Sequence, residues 1–309
     1  MLSHNPSGMF YVDPSPADIY SKNNLLQYEL ATQFLHEQAN LLGTQPVLDV
    51  GCGTGELTAY IANTFQCPVT GIDISSARIN YANQQPWKTD SMQFINDNII
   101  ALDSQRSSQY YRVVSFNALH HIPQQDQLAA FKNIHDIMPD EGIALLLVPA
   151  RSPTIHDVLL DTANSPKWEY YFSDFILDQA RTWEDERYYS DLCGKAGFAC
   201  SVVTREKISP VVYSYEEMKN FVRGWLPHLA HMKQHHISDD IQELFLDDIT
   251  KNIFAAMKTP LDQTITPIII VNKIIAYNNR NSFFNSTPTT NNSIDCENDS
   301  CLTTNISAF

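Results

Sequence analysis

Val47-Leu48-Asp49-Val50-Gly51-Cys52-Gly53-Thr54-Gly55 decides the fold of this chain. Four apolar-rich residues run directly into three glycines at alternate positions, and Glu56 to about Phe65 carries a helical pattern. The stretch therefore reads as a buried strand, a tight turn and a helix opening at the turn. Glycines are needed where the chain turns sharply and where a ligand must approach the backbone.

Outward from this unit the alternation continues. Pro68–Ile74 is predicted as the next strand, and Ser75 as the cap of a helix to about Gln85. Met92–Ile95 and Arg112–Phe116 are further strands. Gln124–Met138 is an amphipathic helix, Pro139-Asp140-Glu141-Gly142 a turn, and Ile143–Val148 a strongly apolar strand. Strands alternating with helices at this spacing predict an α/β fold with a parallel sheet and right-handed crossovers. Upstream, residues 18–42 have helical spacing. Beyond Pro149 the pattern breaks: residues 150–185 read as irregular and aromatic. A helix at Asp185–Ala196, a strand at Phe198–Thr204, helices at 214–232 and 238–257, and a strand at Thr266–Tyr277 follow. The expected division is an N-terminal segment (1–17), a ligand-binding Rossmann-like core (18–149), a helical and aromatic substrate lid with closing strands (150–277) and a disordered polar tail (278–309).

Composition bounds the function. The 309 residues include 20 Lys and Arg against 35 Asp and Glu, a formal charge of −15 that disfavours a nucleic-acid partner. No apolar run approaches the ~20 residues that span a bilayer, so no membrane partner is expected. Six scattered cysteines suggest neither a disulfide framework nor a zinc site, so no metal is expected and the cytoplasm is the default compartment.

Three features choose among ligands for the glycine turn. Asp73 ends the second strand, about 20 residues past the loop, where a carboxylate accepts from both hydroxyls of a ribose. A dinucleotide loop would have glycine at position 56, which here is Glu56. Asp49 ahead of the loop would pair with an ammonium and repel a pyrophosphate. Together these favour S-adenosylmethionine over NAD as cofactor.

The glycine stretch with Gly71-Ile72-Asp73-Ile74-Ser75, Val113–His121 and Pro139–Gly142 resembles the class I S-adenosylmethionine-dependent methyltransferases. The resemblance implies a doubly wound sheet of order 3-2-1-4-5-7-6 with an antiparallel strand seven. It implies cofactor contacts from Asp49, Gly51, Gly53, Gly55, Asp73, Ile74, Ile99 and Asn117. An adenine contact is implied at either Asp97 or Asn98. The chain is more closely similar to the juvenile hormone acid and trans-aconitate methyltransferases, which esterify carboxylic acids. In those enzymes a segment like Tyr20–Gln27 closes over the cofactor, so Tyr20 and Gln27 are further candidates. Phe245-Leu246-Asp247-Asp248 resembles their late lid helix. Leu119-His120-His121 lies where they commonly read Leu-His-Trp, with the Trp facing substrate.

The implied reaction is methyl transfer to a small molecule, foremost esterification of an apolar or polycarboxylic acid. His121 is the candidate catalytic residue, orienting a carboxylate, which needs no base. It would instead be the general base in a methyltransferase acting on carbon, nitrogen or a phenol. A third possibility is a non-catalytic protein that binds the cofactor. Trp168–Phe175 line either a substrate pocket or a satellite core, and Arg151, Arg181 and Arg223 are candidate partners for an acidic substrate.

Overall fold

The computed structural model describes residues 3–4, 10–11, 16–102, 109–175 and 184–279. The expected polar tail from 280 onward lies outside the described residues, as does Arg181. Seven strands form one sheet: β1 (Val47–Val50), β2 (Val69–Asp73), β3 (Met92–Asn96), β4 (Arg112–Phe116), β5 (Ile143–Pro149), β6 (Cys200–Ile208) and β7 (Ile269–Tyr277). Their order is 3-2-1-4-5-7-6, as the resemblance implies. The first five are parallel. β7 runs antiparallel to both neighbours, pairing Ile143 to Tyr277 on one side and Cys200 to Tyr277 on the other. Every residue of β1 and all of Ile143–Val148 are buried, because helices cover both faces.

The helices of the core are α4 (Glu56–Phe65), α5 (Ser76–Asn83), α6 (Gln124–Asp136) and α8 (Glu186–Ala196). Ser75 caps α5, its hydroxyl accepting from the Arg78 N–H. Asp185 caps α8 in the same way from Tyr188 N–H. Ahead of β1 lie α1 (Ala17–Lys22), α2 (Leu25–Glu37) and α3 (Ala39–Leu42). α2 is anchored from the far end of the chain: Lys273 of β7, only 5% exposed, bonds Glu37 at 2.6 Å and Glu206 of β6 at 2.8 Å. The two carboxylates satisfy an ammonium group that is otherwise shut off from water.

Above the ends of the strands sit α7 (Val158–Ala163), α9 (Tyr215–Trp225), α10 (Pro227–Gln234) and α11 (Asp239–Ala256). Two readings of the sequence need correction here. Residues 150–185 are not irregular throughout: a π turn at Pro153–Asp157 runs into α7, and a 3-10 turn spans Glu169–Phe172. Residues 214–232 are two helices, not one. Pro227 drives Leu226 into an extended conformation (φ −71°, ψ 108°) and starts α10 afresh. β6 starts two residues later than expected and extends four further, to Ile208, and β7 starts three residues later, at Ile269. α11 ties this layer together: Asp248 accepts from Trp168 Nε1 at 2.9 Å, and Asp247 from the Tyr215 hydroxyl at 2.6 Å. Among the described residues no helix is long and apolar enough to cross a membrane.

Candidate functional site

The loop after β1 is built on left-handed glycines. Gly51 has φ +76°, and a Cβ there would come within 2.2 Å of the Ala118 Cβ. Gly55 has φ +90° and forms the cap of α4, against the rings of Phe94 and Trp87. The loop is held from the next strand. The Gly53 N–H donates to Asp73 Oδ2 at 2.9 Å, and the Ser75 N–H to Oδ1 at 2.8 Å. Asp73 is thus fixed with its carboxylate at the carboxyl end of β2, and capping of α5 falls to Ser75.

Glu56 marks the first turn of α4, where a dinucleotide's pyrophosphate would sit. Its carboxylate takes hydrogen bonds from Thr54 Oγ1 at 2.6 Å, from Asn24 Nδ2 at 3.4 Å and from the Ser21 hydroxyl. The negative charge fills that position and pins the α1–α2 connection over the loop. Tyr20 of α1 lies beside Gly53, and the Arg78 guanidinium stands 4.1 Å from its ring centroid. Burial raises the Tyr20 hydroxyl above its ordinary range, opposed by the Arg78 charge and assisted by Asp73 and Glu56.

A cavity of about 410 Å³ opens at this end of the sheet. Tyr20, Gln27, Gly51, Asp73 and Ile74 line one part of it, with Asp97, Asn98 and Ile99 beside them. Asn117 and His121 line it as well. A smaller adjoining cavity of about 40 Å³ shares Tyr20, Gln27, Gly51 and Asn117 and is floored by Asp49. The expected residues are therefore gathered in one place, except that Gly53 and Gly55 shape the loop without lining either space.

Asp49 is 2% exposed and accepts from Thr58 Oγ1 at 2.6 Å. Burial raises its carboxyl to about 7, opposed by the Thr58 hydrogen bond and reinforced by Asp73. Gln27 Oε1 is buried with no hydrogen-bond partner among the described residues. A carboxyl awaiting a cation and an idle carbonyl oxygen beside it fit the ammonium of a methionine moiety. Asp73 fits a ribose. Asp97 and Asn98 both line the cavity: Asp97 Oδ1 accepts from Asn98 N–H at 2.8 Å, and Asn98 Oδ1 caps Ile100 N–H at 3.0 Å. Asn117 carries the backbone through φ +56°, a strained position for a side chain with a Cβ.

Past Asp73 and Asn98 the wall becomes apolar: Ile155, Phe175, Phe221, Trp225 and Ile269. Of the aromatic segment only Phe175 reaches the cavity. Trp168 and Phe172 instead pack against Phe245 with centroids 5.0 and 4.8 Å away, as a satellite core. Met218 is core, whereas Phe221 and Trp225 line the space. Arg151 pairs with Asp157 at 2.6 Å and Arg223 with Glu243 through both carboxylate oxygens; neither lines the cavity.

Four histidines interrupt the apolar wall. His121 lies against the buried His120, ring centroids 4.0 Å apart and planes tilted by 38°, so His120 serves both packing and the cavity surface. His156 and His231 line it from the upper layer. The Ser152 N–H donates to His156 Nδ1 at 2.8 Å, nearer than the Ser152 carbonyl at 3.2 Å, which leaves Nε2 as the ring's donor. His156, His231, Trp225 and Arg78 were not singled out as site residues from sequence. Each sits in an element whose placement over β1–β5 is a tertiary matter; only Trp225 and Phe221 carried a signal, as large aromatics on one helix face.

Comparison with known proteins agrees with this geometry. Residues 47–142 match the family model described as a methyltransferase domain. Juvenile hormone acid O-methyltransferase from Bombyx mori is 28% identical over 243 residues, 75% of this chain and 84% of that protein. The enzyme of the same name from Drosophila melanogaster is 26% identical over 248 residues, 75% of this chain and 80% of that protein. Among solved structures, a putative sarcosine dimethylglycine methyltransferase from Galdieria sulphuraria superposes with a TM-score of 0.52 at 12% identity. It covers 84% of this chain and 88% of that one, and shares the fold.

Proposed function

Because this chain is a class I S-adenosylmethionine-dependent methyltransferase, we propose that it forms the methyl ester of an apolar carboxylic acid. The observation that carries the reading is the character of the cavity. It runs from the cofactor end at Asp73 to a wall of Ile155, Phe175, Phe221, Trp225 and Ile269. Among the described residues its only lysine or arginine is Arg78, which lies with Tyr20 at the cofactor end. A polycarboxylic acceptor would call for further cations, and Arg151 and Arg223 are committed elsewhere. Similarity to enzymes named for a carboxylic acid substrate supports the same choice.

Bound S-adenosylmethionine supplies a methyl group already activated on sulfur. Asp73 would hold the ribose, Asp49 and Gln27 the ammonium, and Asp97 or Asn98 the adenine. Tyr20, pinned near the loop through the α1–α2 connection, excludes water from that end. A carboxylate is ionised at neutral pH, so no proton has to be moved. His121 and His156 orient it by hydrogen bonding, and the apolar wall takes its tail.

The close pair His120–His121 favours one rival reading, a phenol, carbon or nitrogen acceptor with His121 as general base. Transfer of a labelled methyl group to a panel of aliphatic acids, di- and tricarboxylic acids, phenols and amines separates the two. Label on aliphatic acids, released by mild base, is the expected result. Base-stable product from phenols or amines alone would overturn the ester reading.

A further inference from the structure

We infer that Asp174, His231 and His235 form a binding site for a divalent transition-metal ion, with zinc the best fit, at the edge of the acceptor cavity. The inference stands apart from the choice of methyl acceptor.

The arrangement follows from the local chain. His231 and His235 are four residues apart at the carboxyl end of α10, which puts both imidazoles on one face. Their ring centroids are 4.3 Å apart. The opposite face of the helix is fixed: Met232 and Leu229 are buried, and Pro227 sets the start of the helix. The third ligand comes from the turn after Glu169–Phe172. There Phe172 and Phe175 pack on His228 at 4.9 and 4.5 Å, which brings Asp174 against α10. One nitrogen of each histidine and one oxygen of Asp174 lie within 4.8 Å of one another.

The ligand atoms lie close to the spacing of a tetrahedral site and reach it with a small side-chain adjustment. Bonds of ~2.0–2.1 Å place neighbouring ligand atoms roughly 3.3–3.4 Å apart. His231 Nε2 is 3.4 Å from Asp174 Oδ1, and His235 Nε2 is 3.8 Å from Oδ2. The Asp174 and His235 side chains are 66% and 51% exposed, so they can rotate the last few tenths of an ångström. The same exposure gives the ion a way in, and the His231 side chain, only 10% exposed, is the fixed point. Two imidazoles and one carboxylate select zinc, cobalt or nickel over calcium or magnesium, which need more oxygen ligands. His231 Nε2 also lies 3.1 Å from the Tyr171 carbonyl. In the metal-free protein it donates there; to ligate a metal the ring takes the other tautomer, with its proton on Nδ1.

Its consequence is mechanical. His231 and Phe175 both line the acceptor cavity, with rings 5.0 Å apart. An ion shared by Asp174 and α10 would clamp the turn that carries Phe175 to the helix that carries His231. It would thereby fix one wall of the cavity without touching the reacting atoms.

Titration of the full chain with cobalt(II) alone is the direct test. One ion per chain should bind with the intense visible absorption of tetrahedral cobalt and without thiolate charge-transfer bands, and zinc should displace it. Asp174→Asn and His235→Ala change exposed groups and should leave the fold intact. Each should weaken cobalt binding roughly tenfold or more. Calorimetry with zinc should rank the variants in the same order, and zinc should raise the melting temperature of the unmutated protein only. Absence of saturable one-to-one binding would overturn the assignment. So would equal binding by the unmutated protein and both variants, or a thiolate signature showing that cysteines hold the ion; in these cases the cluster is an ion pair alone.

Discussion

The backbone N–H of Gly53 donates to the Asp73 carboxylate at 2.9 Å, so the acidic end of β2 holds the glycine loop of β1 in place before any ligand arrives. Asp73→Ala then removes both the expected ribose contact and a support of the loop. S-adenosylmethionine affinity should fall by about 1–3 kcal/mol, roughly fivefold to 150-fold. Asp73→Asn, which keeps an acceptor for Gly53, should lose less. Unchanged calorimetric affinity in folded Asp73→Ala would sink the ribose assignment.

Asp49 should titrate visibly. Its carboxyl is raised from 3.8 to about 7 by burial. A raised acid contributes stability that is fully present below the unfolded pKa and is lost as pH rises toward the folded one. Without cofactor, the melting temperature of the unmutated protein relative to Asp49→Asn should therefore decline between about pH 4 and pH 7. Cofactor binding should favour the ionised form, so affinity should rise through pH 7 and a proton be released on binding near pH 6. Calorimetry in two buffers of different ionisation heat reads that proton; none released, with Asp49→Asn binding normally, would end the ammonium assignment.

His121 separates ester formation from base catalysis. For a carboxylate acceptor, single-turnover rates should stay flat from roughly pH 6 to 8, and His121→Trp should keep turnover with altered substrate choice. A general base predicts a rate that falls with pH and drops on the order of 10²–10⁴ in the variant.

Gly51→Ala should be badly tolerated. The new Cβ meets Ala118 Cβ at 2.2 Å, and φ is +76°. The left-handed conformation alone costs roughly 1–2 kcal/mol, and the clash adds to it. Adding Ala118→Gly should recover the clash and not the conformational part, as read by denaturant unfolding. Full recovery would mean the backbone can leave the left-handed region.

Glu56→Ala should free the α1–α2 connection from the loop, since Ser21, Asn24 and Thr54 all bond this carboxylate. Faster proteolysis around residues 16–24 and weaker cofactor binding are expected, with the melting temperature little changed. Equal proteolysis with and without the carboxylate would show that the segment is held by packing alone.

The core of the sheet was legible because its strands are short and mostly apolar, and the first two lead into the Gly51 turn and the Ser75 cap. Asp49, Asp73 and the three loop glycines could be read together because they belong to two successive turns at the carboxyl ends of neighbouring strands. Leu226-Pro227 did carry a break in its sequence, yet the apolar spacing on either side continues through it and reads as one helix. Pro153 to Ala163 hid its helix behind a π turn, which shifts the register of apolar residues. His156, Trp225 and His231 meet Asp73 only through folding of the upper layer, and no spacing along the chain encodes that meeting. Asp174 and His235 are far apart in sequence for the same reason.

The antiparallel β7 lies between β5 and β6, matched to all of Ile143–Pro149 and to all of Cys200–Ile208. On the ribosome this strand is made after both of its neighbours. Until it emerges, the hydrogen-bonding edge of β5 stands open and β6 has nothing to join. The nascent chain thus carries an unclosed apolar edge through the synthesis of about a hundred and twenty residues, the span in which chaperone engagement is most needed.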